Sequence, residues 1–541
     1  MSEASPSDLF SQDFLDALPP LPSPGEMQAW DQESVRLGIP EAVLMENAAR
    51  AALAVLKTGV PSLAGKQIAL LMGGGNNGGD AACLARQLLD AGAKPVVFCA
   101  REPSALKGAA RIHAMAAAAC GVPFAPFEGW NARWWDAVVD GLVGTGFQGE
   151  LKESALRLVQ QVNQLPSRPF VLALDVPSGL DASTGKPCPE AVMATATATF
   201  AAAKPGLAVP EASQWTGRLV VCDIGMPLCV RQQLPASARL IAAQATALLP
   251  GVRPQAYKNT YGHVLVLGGA KGLGGACQMA CLGALRAGAG LATGAAPASA
   301  VASVKGPYAE IMVRALETAE CWPADTRAVD DLLEQVQAAC IGPGMGTGDD
   351  AARFLLRVLA HRSRPRLVVD ADALNLLAKH PAMLSHLRRG DVLTPHPGEA
   401  ARLLGISPGE VQADRFGAAR RLAELSRAAV VLKGAGTIVA LKGAPLLLCP
   451  ADVPQLACAG SGDVLAGMLA ALMAAGEPSL DAAAKAVVWH AAAGRLVAAD
   501  YPARGNTAGD IANAVPRVPA TAAKAQSERR PKPPRDLRSE L

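Results

Sequence analysis

Gln67-Ile68-Ala69-Leu70-Leu71-Met72, followed by Gly73-Gly74-Gly75-Asn76-Asn77-Gly78-Gly79-Asp80 and a run to about Ala91, decides the fold. The first six residues are nearly all apolar and lack polar alternation, which reads as a strand buried on both faces. The glycine run reads as a tight turn, and the spacing from Asp80 to Ala91 is helical. The same unit recurs along the chain. Pro95–Cys99 is a strand and Leu106–Cys120 a helix, while Ala137–Leu142, Phe170–Leu174 and Gly217–Cys222 are further strands. Strand, loop and helix in succession predict a parallel α/β sheet covered on both faces.

A second series begins after a link around residues 230–255. Strands are expected at His263–Leu267, Ala338–Ile341, Arg366–Val369, Asp391–Leu393 and Ala429–Leu432, with a helix at Gly275–Ala287. Each strand ends in a glycine-rich or polar loop. In open α/β sheets ligands bind outside the carboxyl ends of the strands, so these loops are expected to converge. A chain of 541 residues exceeds one hydrophobic core. The expected division is a flexible segment over 1–24, domains over 25–235 and 245–516, and a flexible basic tail over 517–541.

Composition narrows the function classes. Residues 1–24 carry four acidic residues and no basic one, and residues 517–541 carry seven basic and three acidic ones. Both ends read as solvated tails, leaving a body with little net charge. Aromatics are 4% of the chain, so a basic face with interleaved aromatics for nucleic acid is not expected. The twelve cysteines are scattered, without zinc-ligand spacing. No signal-peptide pattern opens the chain, and the apolar run Val464–Gly476 falls short of the roughly 18–20 residues that span a bilayer. A cytoplasmic protein without membrane association is expected.

Chemistry concentrates in the loops. Gly73, Gly75 and Gly78 satisfy G-x-G-x-x-G, a weak dinucleotide signal here because no acidic residue closes the next strand. Consecutive glycines at a helix N-terminus expose N–H groups to an anion, and Asn76 and Asn77 add carbonyl oxygens suited to a cation. Asp140 and Asp175 close two strands beside glycine loops, as acid/base groups or as helix caps. In the second half, Gly460-Ser461-Gly462-Asp463 precedes an apolar helix. Its N–H groups suit phosphate oxygens, and Asp463 is placed to take a proton from a hydroxyl. That turn alone does not exclude a small-molecule kinase or a helix cap.

The Asn-Asn-Gly-Gly-Asp loop, Gly144-Thr145-Gly146-Phe147, Asp175-Val176-Pro177-Ser178-Gly179-Leu180-Asp181 and Lys204-Pro205-Gly206-Leu207 together resemble the NAD(P)H-hydrate epimerase family over residues 25–230. The resemblance implies a Rossmann-like doubly wound sheet that interconverts the R and S hydrates of NADH and NADPH. It implies substrate contacts from Asn76, Asn77, Gly78, Gly79 and Asp80, and from Gly144, Thr145, Gly146, Phe147, Gln148 and Gly149. Asp175 is the implied acid/base, and a potassium ion is implied at Asn77, Asp140 and Ser178. Ala81 departs from the pattern, where glycine is expected, and should narrow the loop slightly.

The second half resembles the ribokinase-like superfamily and, within it, the ADP/ATP-dependent NAD(P)H-hydrate dehydratases over residues 245–515. The matching segments include Gly342–Gly346, Asp370-Ala371-Asp372-Ala373-Leu374-Asn375 and Leu393-Thr394-Pro395-His396-Pro397-Gly398-Glu399. This implies hydrate contacts at Gly344, Gly346, His396, Pro397, Gly398 and Glu399. It implies ADP with Mg²⁺ at Lys433, Gly434, Ala435, Gly436 and Thr437 and at Gly460, Ser461 and Gly462, with Asp463 catalytic. Ala451-Asp452-Val453-Pro454 and Ser461 depart from the expected Gly-Asn-Pro and threonine. A homo-oligomer is expected, because both domain types commonly assemble. A scaffold role for the first domain is the alternative to its catalysis.

Overall fold

In the computed structural model, which describes residues 9–130, 134–251, 254–316, 320–325, 327 and 329–518, Gln67–Met72 (β1) lies inside a seven-stranded sheet. Its companions are Lys94–Cys99 (β2), Phe124–Pro126 (β3), Ala137–Gly141 (β4), Phe170–Leu174 (β5), Ala196–Phe200 (β6) and Arg218–Cys222 (β7). The order β3-β2-β1-β4-β5-β6-β7 is parallel throughout. It changes direction between β1 and β4. Loops leaving that pair diverge and open a crevice, where the Asn76–Asp80 and Gly144–Phe147 segments emerge.

The helix after β1 spans Asn76–Asp90 and starts four residues before the expected Asp80. Glycine's low helix propensity suggested a longer turn, but packing overrides it. A Cβ on Gly78 would stand 2.0 Å from the Gly73 carbonyl oxygen, and one on Gly79 would stand 2.7 Å from Ala110 Cα. Both glycines therefore let the helix seat against its neighbours. The Ala81 methyl faces Gly141, where a Cβ would come within 2.7 Å of it, so it fills space beside β4.

The second unit runs from Leu240 onward and also takes in the chain's first described residues. Its sheet contains Ala238–Leu240 (β8), His263–Leu267 (β9), Leu291–Pro297 (β10), Met312–Leu316 (β11), Ala338–Ile341 (β12), Arg366–Val369 (β13), Val392–Leu393 (β14), Ala429–Leu432 (β15), Thr437–Ala440 (β16) and Leu446–Cys449 (β17). The order is β11-β10-β9-β12-β13-β14-β15-β16-β17-β8. It is parallel from β11 to β15, and β16 and β17 add an antiparallel extension. The direction changes at β9 and β12, so the loops at 268–269, 342–346, 370–372 and 394–398 share one edge.

Helix Ser461–Ala474 crosses helix Gly274–Arg286 at backbone contact. A Cβ on Gly467 would lie 1.9 Å from the Ala280 carbonyl oxygen, and one on Gly283 would lie 2.4 Å from that of Val464. This fixes where the Gly460–Asp463 turn sits.

The flexible segment expected over 1–24 is corrected for its described part. Ser11 caps a helix over Gln12–Ala17, and Leu9, Phe14, Leu15 and Leu18 join the core of the second unit. The Leu480 N–H donates to the Leu9 carbonyl at 3.0 Å, and the Ser11 N–H donates to both Asp481 carboxylate oxygens at 3.2 Å. Ser23 then opens helix Pro24–Arg36 through a capping box with Glu26. Charge and proline masked the apolar residues Phe10, Phe14 and Leu18, which stand four apart. Phe14→Ala should cost about 3–5 kcal/mol. Hydrogen exchange within Ser479–Asp500 would register this as lost protection; unchanged protection would show that the segment merely rests there. Most of the expected basic tail, residues 519–541, lies outside the described residues.

Two candidate active sites

A cavity of about 1290 Å³ opens at the β1/β4 crevice, lined among others by Asn76, Asn77, Asp80, Thr145 and Asp175. Gly144, Gly146, Phe147 and Gln148 also line it. Gly78, Gly79 and Gly149 are not among its lining residues, and the first two pack closely against Gly73 and Ala110.

Asp175 ends β5 with a left-handed φ of 60°, a conformation that costs a non-glycine residue energy and persists only where surroundings enforce it. Its Oδ2 accepts from the Thr145 N–H at 3.3 Å and the Thr145 hydroxyl at 3.1 Å. Its Oδ1 accepts from Lys204 Nζ at 2.5 Å. Lys204 is 1% exposed and also donates to Thr199 Oγ1 at 3.0 Å and the Phe200 carbonyl at 3.1 Å. Burial alone would raise the Asp175 carboxyl. The Lys204 charge and hydrogen bond, helped by the Phe200 and Thr145 N–H groups, hold it below the ordinary carboxylate range. Asp175 is therefore ionised at neutral pH. The sequence reading had Lys204 only as part of a motif; its signal was a lysine after an otherwise buried strand.

Asp140 is fully buried and closes β4. It accepts from the Ser178 hydroxyl at 2.6 Å, the Ser178 N–H at 2.7 Å and the Leu142 N–H at 3.2 Å. Burial pushes its carboxyl up to about 6, against the pull of Ser178 and Leu142. Asn77 donates to the carbonyls of Val143 at 2.7 Å and Leu174 at 3.0 Å, and the Ser178 hydroxyl reaches the same Val143 carbonyl at 3.3 Å. Asn77 Oδ1 is buried with no partner among the described residues. An orphaned amide oxygen, a hydroxyl and one carboxylate make an all-oxygen set of single charge. That set fits a hard monovalent cation.

In the second unit the strand-end loops meet around Asp370 and Lys433. Asp370 Oδ1 accepts from Lys433 Nζ at 2.9 Å and the Thr394 hydroxyl at 2.7 Å. Ala371, at φ 50°, turns the chain so that Asp372 accepts from the Gly346 N–H at 2.8 Å instead. A Cβ on Gly462 would lie 3.3 Å from Lys433 Nζ, so this ammonium sits against the Gly460–Asp463 turn. Asp463 is half-buried and accepts no hydrogen bond from a described residue outside its own helix. Burial first, then Asp370, pushes its carboxyl up to about 7, while Lys433 pulls it down.

Gly460 begins helix Ser461–Ala474 at φ 88°, and the buried His490 ring meets the Ser461 hydroxyl at 3.3 Å. Gly344 has φ 59°, and a Cβ there would lie 2.4 Å from the Leu273 carbonyl oxygen. His396 Nδ1 accepts from the Gly398 N–H at 3.0 Å, and Glu399 returns a bond to the His396 N–H at 2.8 Å. Glu399 thus locks the loop as a capping box behind Pro397. Burial lowers the His396 ring, with Lys433 and Arg402 acting in the same direction.

Under the Lys433–Thr437 loop, Arg415 donates to the carbonyls of Leu432, Lys433 and Gly436 at 3.3, 3.3 and 3.1 Å. A Cβ on Gly434 would come 3.0 Å from its guanidinium. Thr437 donates to the Gly434 carbonyl at 2.9 Å, and Ala435 stands at the loop's exposed tip. Sequence reading missed Arg415, since a lone arginine on a helix gives no local sign of a distant partner.

Residues 264–517 match the family described as NAD(P)H-hydrate dehydratase, and residues 41–206 match the one described as YjeF-related protein N-terminus. A bifunctional NAD(P)H-hydrate repair enzyme, Nnr, of Coxiella burnetii is 38% identical over 490 residues, covering 90% of this chain and 96% of the relative. That of Moorella thermoacetica is 37% identical, covering 89% and 92%. A solved structure of an ADP/ATP-dependent NAD(P)H-hydrate dehydratase from Bacillus subtilis, co-crystallised with ATP and Mg²⁺, is 26% identical with a TM-score of 0.46, covering 52% of this chain and 98% of that one. Two family matches in succession and relatives alike over nine-tenths of the chain have one meaning: this chain belongs to the bifunctional NAD(P)H-hydrate repair enzyme family.

Proposed function

We propose that the first unit, within residues 25–235, interconverts the R and S hydrates of NADH and NADPH, and that the second, within 245–516 together with residues 9–18, dehydrates the S form with ADP. The observation that carries this reading is the Asp463 carboxyl, raised to about 7 at a helix N-terminus beside Lys433. A base near neutrality combined with N–H donors at a positive helix end is what phosphoryl transfer to a substrate hydroxyl requires. Asp463 accepts the proton of the C6 hydroxyl while that oxygen takes a phosphoryl group from ADP. AMP leaves in that transfer; phosphate then departs from C6 with the C–O electron pair while C5 gives up a proton, and the C5–H electron pair becomes the restored ring double bond. Lys433 and the Gly460 and Gly462 N–H groups face the phosphates, the Ser461 N–H being engaged with the Cys458 carbonyl at 3.3 Å, while Gly344, Gly346 and the His396–Glu399 loop face the hydrate. Arg415 holds the Lys433–Thr437 loop in shape for the nucleotide.

Mg²⁺ fits the excess of carboxylate around Lys433 (Asp370, Asp372, Glu399 and Asp463) once nucleotide phosphates are present, and it offsets phosphate charge when bound. Asn77, Asp140 and Ser178 would hold potassium, which supplies the positive charge that the buried Asp140 lacks. Asp175 is the epimerising base. Among the described residues no helix is long and apolar enough to cross a membrane. The scattered cysteines fit the reducing cytoplasm, and a homo-oligomer is the expected assembly.

The test is recovery of NADH absorbance from a mixed R/S hydrate, run with ADP and with ATP in parallel. Full recovery with ADP is expected. Recovery of only half would remove the epimerase assignment, and none would remove the dehydratase one. Because Asp463 must be ionised to act, dehydratase kcat/KM should rise with pH through about 7. A profile already flat from pH 5.5 upward would contradict its role as the base.

A further inference from the structure

The epimerising cavity, on the reading above, contains a base held ionised by a lysine, yet ring opening of a hydrate also needs a proton donor. We propose that Asp80 is the general acid that works with the Asp175 base in the same cavity. This rests on the epimerase reading and assigns a second reacting group within it.

The two carboxyls line one cavity but differ in their surroundings. Asp175 is tied to Lys204, Thr145 and Thr199. Asp80 is only 8% exposed, yet its carboxyl accepts no hydrogen bond from any other described residue. It lies one turn along the helix from Asn76 and Asn77, on the stripe that faces the crevice. A buried carboxyl without a donor or countercharge stays protonated, because ionising it there is costly.

The charged groups around it act in the same direction. Burial raises Asp80 well above the ordinary range, and Asp175, Asp31 and Glu41 add negative charge from three other elements; Lys204 alone opposes them. Arg101, Glu150 and Lys152 line the same cavity. Glu46, Arg86 and His113, on the packed helices, are engaged with one another. Within the cavity Asp175 is pushed down, while Asp80 and, to about 6, Asp31 are pushed up, and a lowered carboxyl beside a raised one is the pattern of an acid/base pair.

The chemistry balances. The hydrated carbon is a hemiaminal, bearing a hydroxyl and the ring nitrogen. Asp175 takes the hydroxyl proton, and the O–H electron pair becomes the second bond of an aldehyde. The electron pair of the breaking carbon–nitrogen bond goes to nitrogen, which takes the Asp80 proton. Rotation about the adjoining carbon–carbon bond presents the other aldehyde face. Nitrogen then adds to it, returns its proton to Asp80, and the oxygen regains the proton from Asp175. No proton is gained or lost overall.

The test uses the full chain with pure R hydrate, ADP and Mg²⁺, following NADH absorbance. Asp80→Asn should slow R-hydrate conversion about 10²–10³-fold. Asp80→Glu should regain at least about tenfold of that loss, since a carboxyl returns. The wild-type rate should fall at alkaline pH as the acid ionises, and Asp80→Asn should abolish that fall. Recovery of pure S hydrate, which the other unit performs, should stay within about twofold and so report an intact fold. Conversion by Asp80→Asn within threefold of wild type, a retained alkaline fall, or Asp80→Glu as poor as Asp80→Asn would each overturn the proposal. A wild-type chain that recovers S hydrate but never R hydrate would overturn the epimerase reading itself.

Discussion

Asp463→Asn is expected to lower S-hydrate dehydration about 10³-fold while leaving epimerisation unchanged. The amide keeps the size of the carboxylate and the helix N-terminus, so Gly460 and Gly462 still present their N–H groups. What disappears is the acceptor for the hydroxyl proton. General-base catalysis contributes about 10²–10⁴-fold, and here the base also sits where a helix end and Lys433 favour the negative charge it must carry. ADP affinity should change little or improve slightly, because a carboxylate beside the phosphates repels them. The comparison is made on pure S hydrate with saturating ADP. A loss under tenfold in kcat would mean that another group takes the proton. Asp370 would be the next candidate, although Lys433 and Thr394 already occupy its Oδ1.

Lys204→Met should have an effect of similar size on the other activity. Methionine fills the lysine's space but leaves Asp175 buried without its countercharge. Removing one partner of a buried ion pair costs about 3–5 kcal/mol, and the carboxyl escapes part of that cost by taking up a proton. A protonated Asp175 is no longer a base, so R-hydrate conversion should drop about 10³-fold at neutral pH, and half of a mixed hydrate should recover at the wild-type rate. In the parent chain the Asp175 carboxyl is depressed on folding, so its contribution to stability is present above the ordinary carboxylate range and is lost as pH falls through its lowered value. Lys204→Met should therefore flatten the acid limb of the stability curve. If this variant epimerises normally, Asp175 does not act as an ionised base.

Much of this was legible in the sequence because buried parallel strands announce themselves as short apolar runs, and strand-end loops carry glycine and aspartate. The 67–80 stretch located the first crevice. The Gly-Ser-Gly-Asp turn located the second. What stayed hidden depends on distance in the chain. Lys204 gains its meaning from Asp175 across the strand order, and Lys433 from Asp370, 63 residues earlier. Gly78 and Gly79 were read as loop because propensity is local, whereas the close approach of Gly73 and Ala110 is not. The alanine-rich strand Leu291–Pro297 escaped notice because alanine is a poor β former.

The helix over Gln12–Ala17 has a consequence for how the chain is made. Ser11 and Asp481 are 470 residues apart, so the segment around Ser11 is made long before the helix it docks on and waits for it. The second unit cannot complete its core until Ser479–Asp500 has been made. Entropy makes this tolerable, because the cost of closing a loop grows only with the logarithm of its length. A gene split near residue 240 would give a second product missing Leu9, Phe14, Leu15 and Leu18 from its core. The fused reading frame would thus be a folding requirement as well as a way of keeping two activities together.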